Sequence, residues 1–286
     1  MPVGHFTESQ LLVQEAVSEL VLAGYKDKSI LGTVLTDYSY LVDADHLDKI
    51  ILPRLGKFDD LVEPTIVGCN ITDACQNLSV DKSELEANLK AYLCWEFSRE
   101  FDKKNFPKDK IIERALEAGY KKATKDLITA ISANIVVGNT FNGTGGAGGT
   151  GDLLDAVYQA EAHLVDSGVQ HNQMNSFILG DSAFIRRLRQ LKAVTQCCGE
   201  FVNPIGDVIG AVAGFTVVQV PSNYFAIPNQ ALVVNKESGG WALFDSVYKK
   251  LAETSVLCDK YAWLQTYGIN IYGSEYVGAI NYAIIP

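Results

Sequence analysis

PKDKIIERALEAGYKKATKDLITAISAN, residues 107–134, predicts a long helix around which the other elements are arranged. Pro107 suits the first position of a helix, and no other proline occurs before Asn134. Positions three or four apart form one mostly apolar stripe: Leu116, Tyr120, Ala123, Leu127, Ile131 and Asn134. The solvent side is predicted to carry Lys108, Glu113, Lys121, Lys125 and Asp126, and Glu117 is spaced to pair with Lys121.

Such a helix would be roughly 40 Å long at about 1.5 Å per residue. That is more than twice the length of an average helix, so the segment is either the spine of a large domain or half of a coiled coil. Its stripe is poor in branched aliphatic residues, which favours the spine. Gly119 lies inside the helix, and we expect the helix to flex or kink near it.

Composition excludes several classes of protein. Of the 286 residues, 48% are hydrophobic and 20% charged, which is typical of a folded chain with a sizeable core. A net charge of −10 without a Lys/Arg cluster argues against sequence-specific nucleic-acid binding, although loose enclosure of nucleic acid stays possible. No apolar run is long enough to cross a membrane, and the first residues lack a signal-peptide pattern. The six cysteines lack zinc-type spacing, which indicates reduced thiols in a cytosolic setting.

The segment before the spine is predicted to contain one helix followed by extended structure. An amphipathic helix is expected over 7–24, followed by an arm that includes 39–46. A strand over 49–55 contains Pro53, which suits the edge of a sheet. A second strand over 88–97 alternates apolar and polar residues. Residues 49–97 are therefore predicted to form a long hairpin, which would need a neighbouring surface because an isolated hairpin is marginal in water.

The segment after the spine predicts mixed helices and strands, giving an α+β fold class. Ile135–Val137 leads into the glycine-rich stretch 142–152, and Asp181 is placed to cap a helix. The predicted elements are helix 152–167 closed by Gly168, strand 176–180, helix 182–192, a turn and glycine-punctuated strand within 206–221, strands 231–235 and 241–245, and a strand-rich end. Glu275 is the only charged residue after Lys260, so this end is predicted to lie in the core or in an interface.

The glycines Gly146, Gly148 and Gly151 match G-x-G-x-x-G. A dinucleotide site needs the first glycine to end a strand, and here it lies about nine residues beyond Ile135–Val137, with no P-loop lysine following. A flexible linker is favoured over a nucleotide-binding enzyme.

Other residues with chemical potential also have ordinary interpretations. An acidic turn could hold a metal but is more typical of a solvated turn, two histidines lie where histidine is common, and a vicinal cysteine pair suggests free thiols. These are Asp43, Asp45, His46 and Asp48 in the turn, His163 and His171, and Cys197 with Cys198. We predict no catalytic, cofactor or metal site.

Several segments, taken in order, carry a resemblance to a known family. They are ILPRLGKF (51–58), QNLSVDKSELEANLKAYLCWEF (76–97) ending beside Glu96, the spine helix, GNTFNGTGGAGGTG (138–151), LLDAVYQAEAHLVDSGV (153–169), FILGDSAFIRRLRQL (177–191), IGDVIGAVAGFTVVQVPSN (205–223) and YGINIYGSEYVGAI (267–280). Together they resemble the major capsid protein of tailed bacteriophages, which has the Hong Kong 97-type fold.

The resemblance implies an α+β capsid fold with an N-terminal arm, an extended hairpin loop, a spine helix, and peripheral and axial domains. The expected division is 1–48 for the N-terminal helix and arm, 49–97 for the extended loop, 98–137 for the peripheral domain with the spine, 138–234 for the axial domain, 235–266 for peripheral strands, and 267–286 for a return to the axial domain.

The implied function is structural and not enzymatic. The subunit would form hexamers and pentamers of an icosahedral shell around double-stranded DNA, in a virion assembled in the host cytoplasm. The first helix has no long scaffolding segment before it, so a separate scaffolding protein and a portal are expected partners. Lys57 lies in the region that carries a cross-linking lysine in one branch, but its partners cannot be identified. An encapsulin-type shell is an alternative.

Overall fold

The computed structural model describes residues 30–42, 48–55, 65–67, 70–72, 80–98, 108–143, 152–190, 208–255 and 258–283. The predicted helix 7–24 lies outside these ranges. The helices are α1 (Ile30–Val34), α2 (Lys108–Ala133), α3 (Asp152–Asp166) and α4 (Ser182–Gln190).

The strands form two larger sheets and two small ribbons. In chain order they are β1 (Thr36–Asp37), β2 (Lys49–Leu55), β3 (Thr65–Val67), β4 (Asn70–Thr72), β5 (Val80–Glu86), β6 (Leu89–Ser98), β7 (Thr140–Gly143), β8 (Ser176–Gly180), β9 (Val208–Val212), β10 (Phe215–Gln219), β11 (Gln230–Asn235), β12 (Gly239–Ser255), β13 (Cys258–Ile271) and β14 (Val277–Tyr282). The mixture of helices and strands confirms the α+β class.

Helix α2 is the predicted spine. Ala123, Leu127 and Ile131 are fully buried, and the i,i+4 pair forms with 2.7 Å between Lys121 Nζ and Glu117 Oε1. The helix runs unbroken through Gly119, and flexing near this residue when the shell changes shape stays a prediction. Asp126 was predicted on the solvent side, and that prediction is wrong. Its side chain is only 15% exposed because it faces β13.

The six-stranded sheet, in the order β7-β14-β11-β8-β10-β9, forms a central layer. Alternate residues of one strand point to opposite faces. Phe177 and Leu179 therefore join the core beneath α1 and α2, while Ile178 joins the core beneath α3 and α4. The predicted strands 176–180 and 231–235 and the buried C-terminal end are confirmed here, since β14 pairs with both β11 and β7.

The four-stranded sheet has the order β1-β12-β13-β6. Strand β12 extends far beyond the predicted 241–245 because it forms a long antiparallel hairpin with β13. The prediction that 88–97 pairs with 49–55 is wrong: β6 pairs with β13, and β2 pairs with β5. The physical reason is burial, since Ala91 of β6 packs into the core that α2 and β13 share.

One further local prediction, at 206–221, needs correction, and the structure also defines the junction after the spine. The stretch 206–221 holds two strands, β9 and β10, joined by a tight turn in which Ala213 and Gly214 have φ of 46° and 75°. Positive φ at both central residues is the geometry that matches the twist of paired strands. Ile135–Val137 leads into a 3-10 turn, Val137–Asn139, and the strand begins only at Thr140.

Candidate assembly surfaces

The β2–β5 ribbon is fixed to the rest of the chain at its base. Ile50, Leu52 and Leu85 form a small core with Ala242 and Phe244 of β12. Pro53 pairs only within this ribbon, which confirms its predicted edge position. The hairpin thus has a core at its base, which the sequence had not indicated.

A close backbone approach holds β5 against β13. Asn270 Nδ2 donates a hydrogen bond of 2.7 Å to the carbonyl oxygen of Glu84. At Gly268 an added Cβ would lie 2.2 Å from the carbonyl oxygen of Glu86, so only glycine permits this contact. Beyond the base, Ile51 on the opposite face of the ribbon is 54% exposed.

The ribbon offers unpaired backbone to a neighbour. In the described ranges, β2 and β5 form ladder pairs only with each other, and β5 is contacted by β13 near its end at Glu84 and Glu86. Open edges and exposed apolar side chains are features that partner chains cover. A two-stranded ribbon is also marginal when it is isolated in water. The geometry of the described ribbon therefore suits contact with another molecule.

The spine helix is fixed to β13 by one steric and one polar contact. The Trp263 ring lies directly over Gly119, where an added Cβ would be 2.6 Å from Cη2. The Tyr267 hydroxyl donates a 2.5 Å hydrogen bond to Asp126 Oδ2, and Lys122 Nζ contacts the same carboxylate. These contacts position the sheet that carries the ribbon relative to the long helix.

The buried amide of Gln265 lies in the same contact layer between Trp263 and Tyr267. Its side chain is 1% exposed, and neither of its polar atoms has a hydrogen-bond partner among the described residues. A buried amide without hydrogen-bond partners costs stability, so Gln265 weakens this layer of the core.

The junction between the spine and the central sheet depends on Asn139. This buried side chain donates from Nδ2 to the carbonyl oxygens of Ser274 (3.1 Å) and Val277 (2.9 Å). These bonds satisfy the backbone where the chain enters β14. The sequence offers only an asparagine in a turn here, so this role could not be anticipated.

Helix α4 begins as the sequence predicts. The Asp181 carboxylate accepts a 2.8 Å hydrogen bond from the Phe184 backbone N–H, which is the N-cap geometry. It also accepts a 2.6 Å bond from the Tyr282 hydroxyl, which joins the helix to β14. Burial, and then the bond to Asp181, raise the pKa of Tyr282 well above its usual range.

Helix α3 ends at the predicted glycine. Gly168 has a φ of 71°, and its N–H donates to Val165, the pattern of a glycine-terminated helix. The predicted stripe of Leu153, Val157, Ala160 and Leu164 is buried in the core beneath the helix.

Both histidines near α3 have structural contacts. His163 Nε2 lies 2.9 Å from the carbonyl oxygen of Glu275. His171 lies 2.9 Å from both Ser176 Oγ and the Ala213 carbonyl oxygen, with its ring edge-on to Phe215. These contacts occupy both ring nitrogens of His171 and Nε2 of His163, and they support the ordinary interpretation of both residues.

Most of the remaining sequence candidates lie outside the described residues: Gly146, Gly148, Gly151, Asp43, Asp45, His46, Lys57, Cys197 and Cys198. Asp48 is described, and no group of metal-ligating side chains occurs in the described ranges. Cys94 is a half-buried free thiol. In the part of the chain that the structure covers, no helix is long and apolar enough to cross a membrane.

The order of strands bears on the dinucleotide hypothesis. In a dinucleotide-binding unit, the helix after the glycines joins two parallel strands at the crevice where the cofactor binds. Here α3 joins β7 to β8, and β14 and β11 lie between those two strands. This topology favours the linker interpretation of the glycine-rich stretch.

Comparison with known proteins gives matches by structure alone. No family model matches the chain, and no curated protein sequence does either. The capsid of Ralstonia phage GP4 superposes with a TM-score of 0.64 at 14% identity, covering 92% of each chain. A structure from Mycobacterium phage Che8 superposes with a TM-score of 0.63 at 14% identity, covering 98% of this chain and 94% of that chain.

A third similar structure comes from outside the phages. A virus-like particle from Pyrococcus furiosus gives a TM-score of 0.53 at 11% identity, covering 94% of this chain and 99% of that one. The chain therefore has the fold of phage capsid proteins along nearly its whole length.

Proposed function

We propose that this chain is the structural subunit of a phage-type capsid, with the Hong Kong 97-type fold that its sequence resembles. The observation that carries the proposal is the similarity of fold to the GP4 capsid over 92% of both chains. The β2–β5 ribbon agrees with it, because a two-stranded ribbon with an exposed apolar side chain at Ile51 is suited to lying on a neighbour.

The subunit forms hexamers and pentamers that close into an icosahedral shell around double-stranded DNA. Closed symmetry reuses one set of contacts at every position, so a single chain is sufficient for the wall. The net charge of −10 suits loose, sequence-independent enclosure of DNA and not tight wrapping. The shell is assembled in the host cytoplasm with a separate scaffolding protein and a portal, and the role in the virion is mechanical and not catalytic.

The proposed domains follow the sequence. Residues 49–97 supply the extended loop, 98–137 and 235–266 the peripheral domain, and 138–234 and 267–286 the axial domain, with 1–48 as an arm, except that β6 and residues 267–271 of β13 belong to the four-stranded sheet with β12. The long β12–β13 hairpin and the central sheet support a division into two sheet-containing bodies.

The experiment is electron microscopy of the full-length chain, expressed alone and with a candidate scaffolding protein. We expect rings, sheets or closed shells. A chain that stays monomeric in every condition would refute the proposal.

A matched pair of substitutions tests the ribbon. Ile51→Asp places a charge on its exposed face, and Ile227→Asp does the same at an isoleucine that is also 54% exposed but lies in a loop after β10. Both variants should fold as the wild type does, since neither side chain is buried. Only Ile51→Asp should lose assembly, and equal assembly of the two would argue against a role for the ribbon.

A cargo-carrying shell of the encapsulin type is the second candidate. The similarity to the virus-like particle from Pyrococcus furiosus favours it. Particles purified from expressing cells distinguish the two, because nucleic acid inside indicates a capsid and a packaged protein indicates a cargo shell.

A further inference from the structure

The exposed side of α3 is acidic. Asp155 and Asp166 are exposed, and Gln159 is hydrogen-bonded to Asp155 at 2.8 Å. The helix packs over β7 and β14, at one side of the central sheet. Tyr158 and Val165 on the exposed side of the same helix are 52% and 55% exposed, which leaves apolar surface next to the acids.

The exposed side of α4 is basic. Arg186 and Arg189 are exposed, while Phe184, Ile185 and Leu188 pack into the core beneath the helix. This helix lies on the same sheet face as α3 but beside β8, which two strands separate from β7. One layer of the subunit therefore presents an acidic helix and a basic helix at different positions.

The two sheet edges are also available for contact. In the described ranges β7 and β9 are the outer strands, and each pairs on one side only. Neighbouring subunits can therefore approach this layer from either edge.

We propose that α3 of one copy docks on α4 of the next copy, so that the two helices form the head-to-tail contact within each ring. Head-to-tail pairing brings Asp155 and Asp166 towards Arg186 and Arg189 of the next copy and continues around a ring, whereas a two-fold α3–α4 contact would close at a dimer. The exposed apolar residues beside the acids exclude water from the contact and strengthen the pairing. This inference rests on the proposed shell function, since it needs a ring of copies.

Charge reversal tests the pairing. One variant carries Asp155→Lys and Asp166→Lys, so both of its helices are basic. The other carries Arg186→Glu and Arg189→Glu, so both of its helices are acidic. Native mass spectrometry and electron microscopy of full-length proteins follow assembly. We expect each variant alone to form no rings under conditions in which the wild type assembles.

Mixing the two variants gives the most specific result. A basic pair of helices can bind only an acidic pair, so the mixture must alternate around the ring. We expect six-membered rings to return and five-membered rings to stay absent, because an odd ring cannot alternate. A chain carrying all four reversals restores opposite charges and should form both kinds of ring.

Matched controls reverse exposed charges elsewhere. Glu237→Lys with Asp245→Lys controls for the first variant, and Lys90→Glu with Lys125→Glu controls for the second. We expect the controls to assemble. Rings from either α3 or α4 variant alone, a mixture that fails to alternate, or equal loss in the controls would overturn the helix pairing. If the wild type itself never assembles, the shell function fails, which is a distinguishable result.

Discussion

Replacing Gly119 by alanine tests the contact that fixes the spine helix. An alanine Cβ would lie 2.6 Å from Cη2 and 2.9 Å from Cζ3 of Trp263, whereas carbon atoms pack at about 3.5–4.0 Å. The ring must therefore move by about 1 Å. It is 3% exposed, and its Nε1 donates a 3.1 Å hydrogen bond to Ser246 Oγ, so it cannot rotate away freely.

Two opposing effects set the magnitude. Alanine in a helix interior stabilises the fold by about 1 kcal/mol relative to glycine, while overpacking a filled site destabilises it by about 1–3 kcal/mol. We expect Gly119→Ala to lower the free energy of unfolding by about 0–2 kcal/mol instead of raising it. In a Trp263→Leu background, where the ring is gone, the same change should raise it by about 1 kcal/mol.

The assay is urea unfolding of the four proteins of this double-mutant cycle, kept below the concentration at which they assemble. The coupling between the two sites should be about 1–3 kcal/mol. If Gly119→Ala stabilises both backgrounds equally, the ring does not restrict this position. The glycine would then be explained by the flexing that its place in the helix suggests.

Three further predictions concern hydrogen bonds seen in the structure. Asp181→Ala should lower the free energy of unfolding in urea by about 1–2 kcal/mol because α4 loses its cap. Asp181→Asn should retain most of this stability, and equal losses for the two variants would contradict the capping role. Because the folded pKa of Tyr282 is raised, unfolded chains lose the proton first, so stability should fall as the pH rises past 10.0. The unfolding temperature of Tyr282→Phe should fall less above this pH than that of the wild type, and identical pH profiles of the two proteins would refute this. Tyr267→Phe should cost about 1–3 kcal/mol because it breaks a bond to a largely buried carboxylate, whereas Lys121→Ala at an exposed ion pair should change the midpoint little. Similar shifts for the two would count against the buried bond.

Local features of the fold could be predicted from sequence because their causes are local. The cap at Asp181, the stop at Gly168 and the buried stripe of α3 each depend on residues within one or two helical turns. Alternation and turn residues likewise located most strands. The partner of β6 could not be predicted this way, because its alternation suits β2 and β13 equally.

The candidate surfaces were harder to predict from the sequence. The open ribbon was expected as a hairpin that needs a neighbour, but its strands were assigned wrongly and its attachment to Phe244 was not foreseen. The acidic residues of α3 and the basic residues of α4 can be read directly from the sequence. Their arrangement on one face of a sheet cannot, because it depends on which strands lie between them.

The long helix 107–134, the α+β class and the resemblance to capsid proteins can all be read from the sequence. Helical period and turn chemistry follow from short-range sterics and hydrogen bonding, which a single chain segment contains. The packing role of Gly119 and the direction in which Asp126 points became clear from the tertiary structure. Both depend on Trp263 and Tyr267 of a distant strand, and burial against a distant surface outweighs the local preference of any one residue.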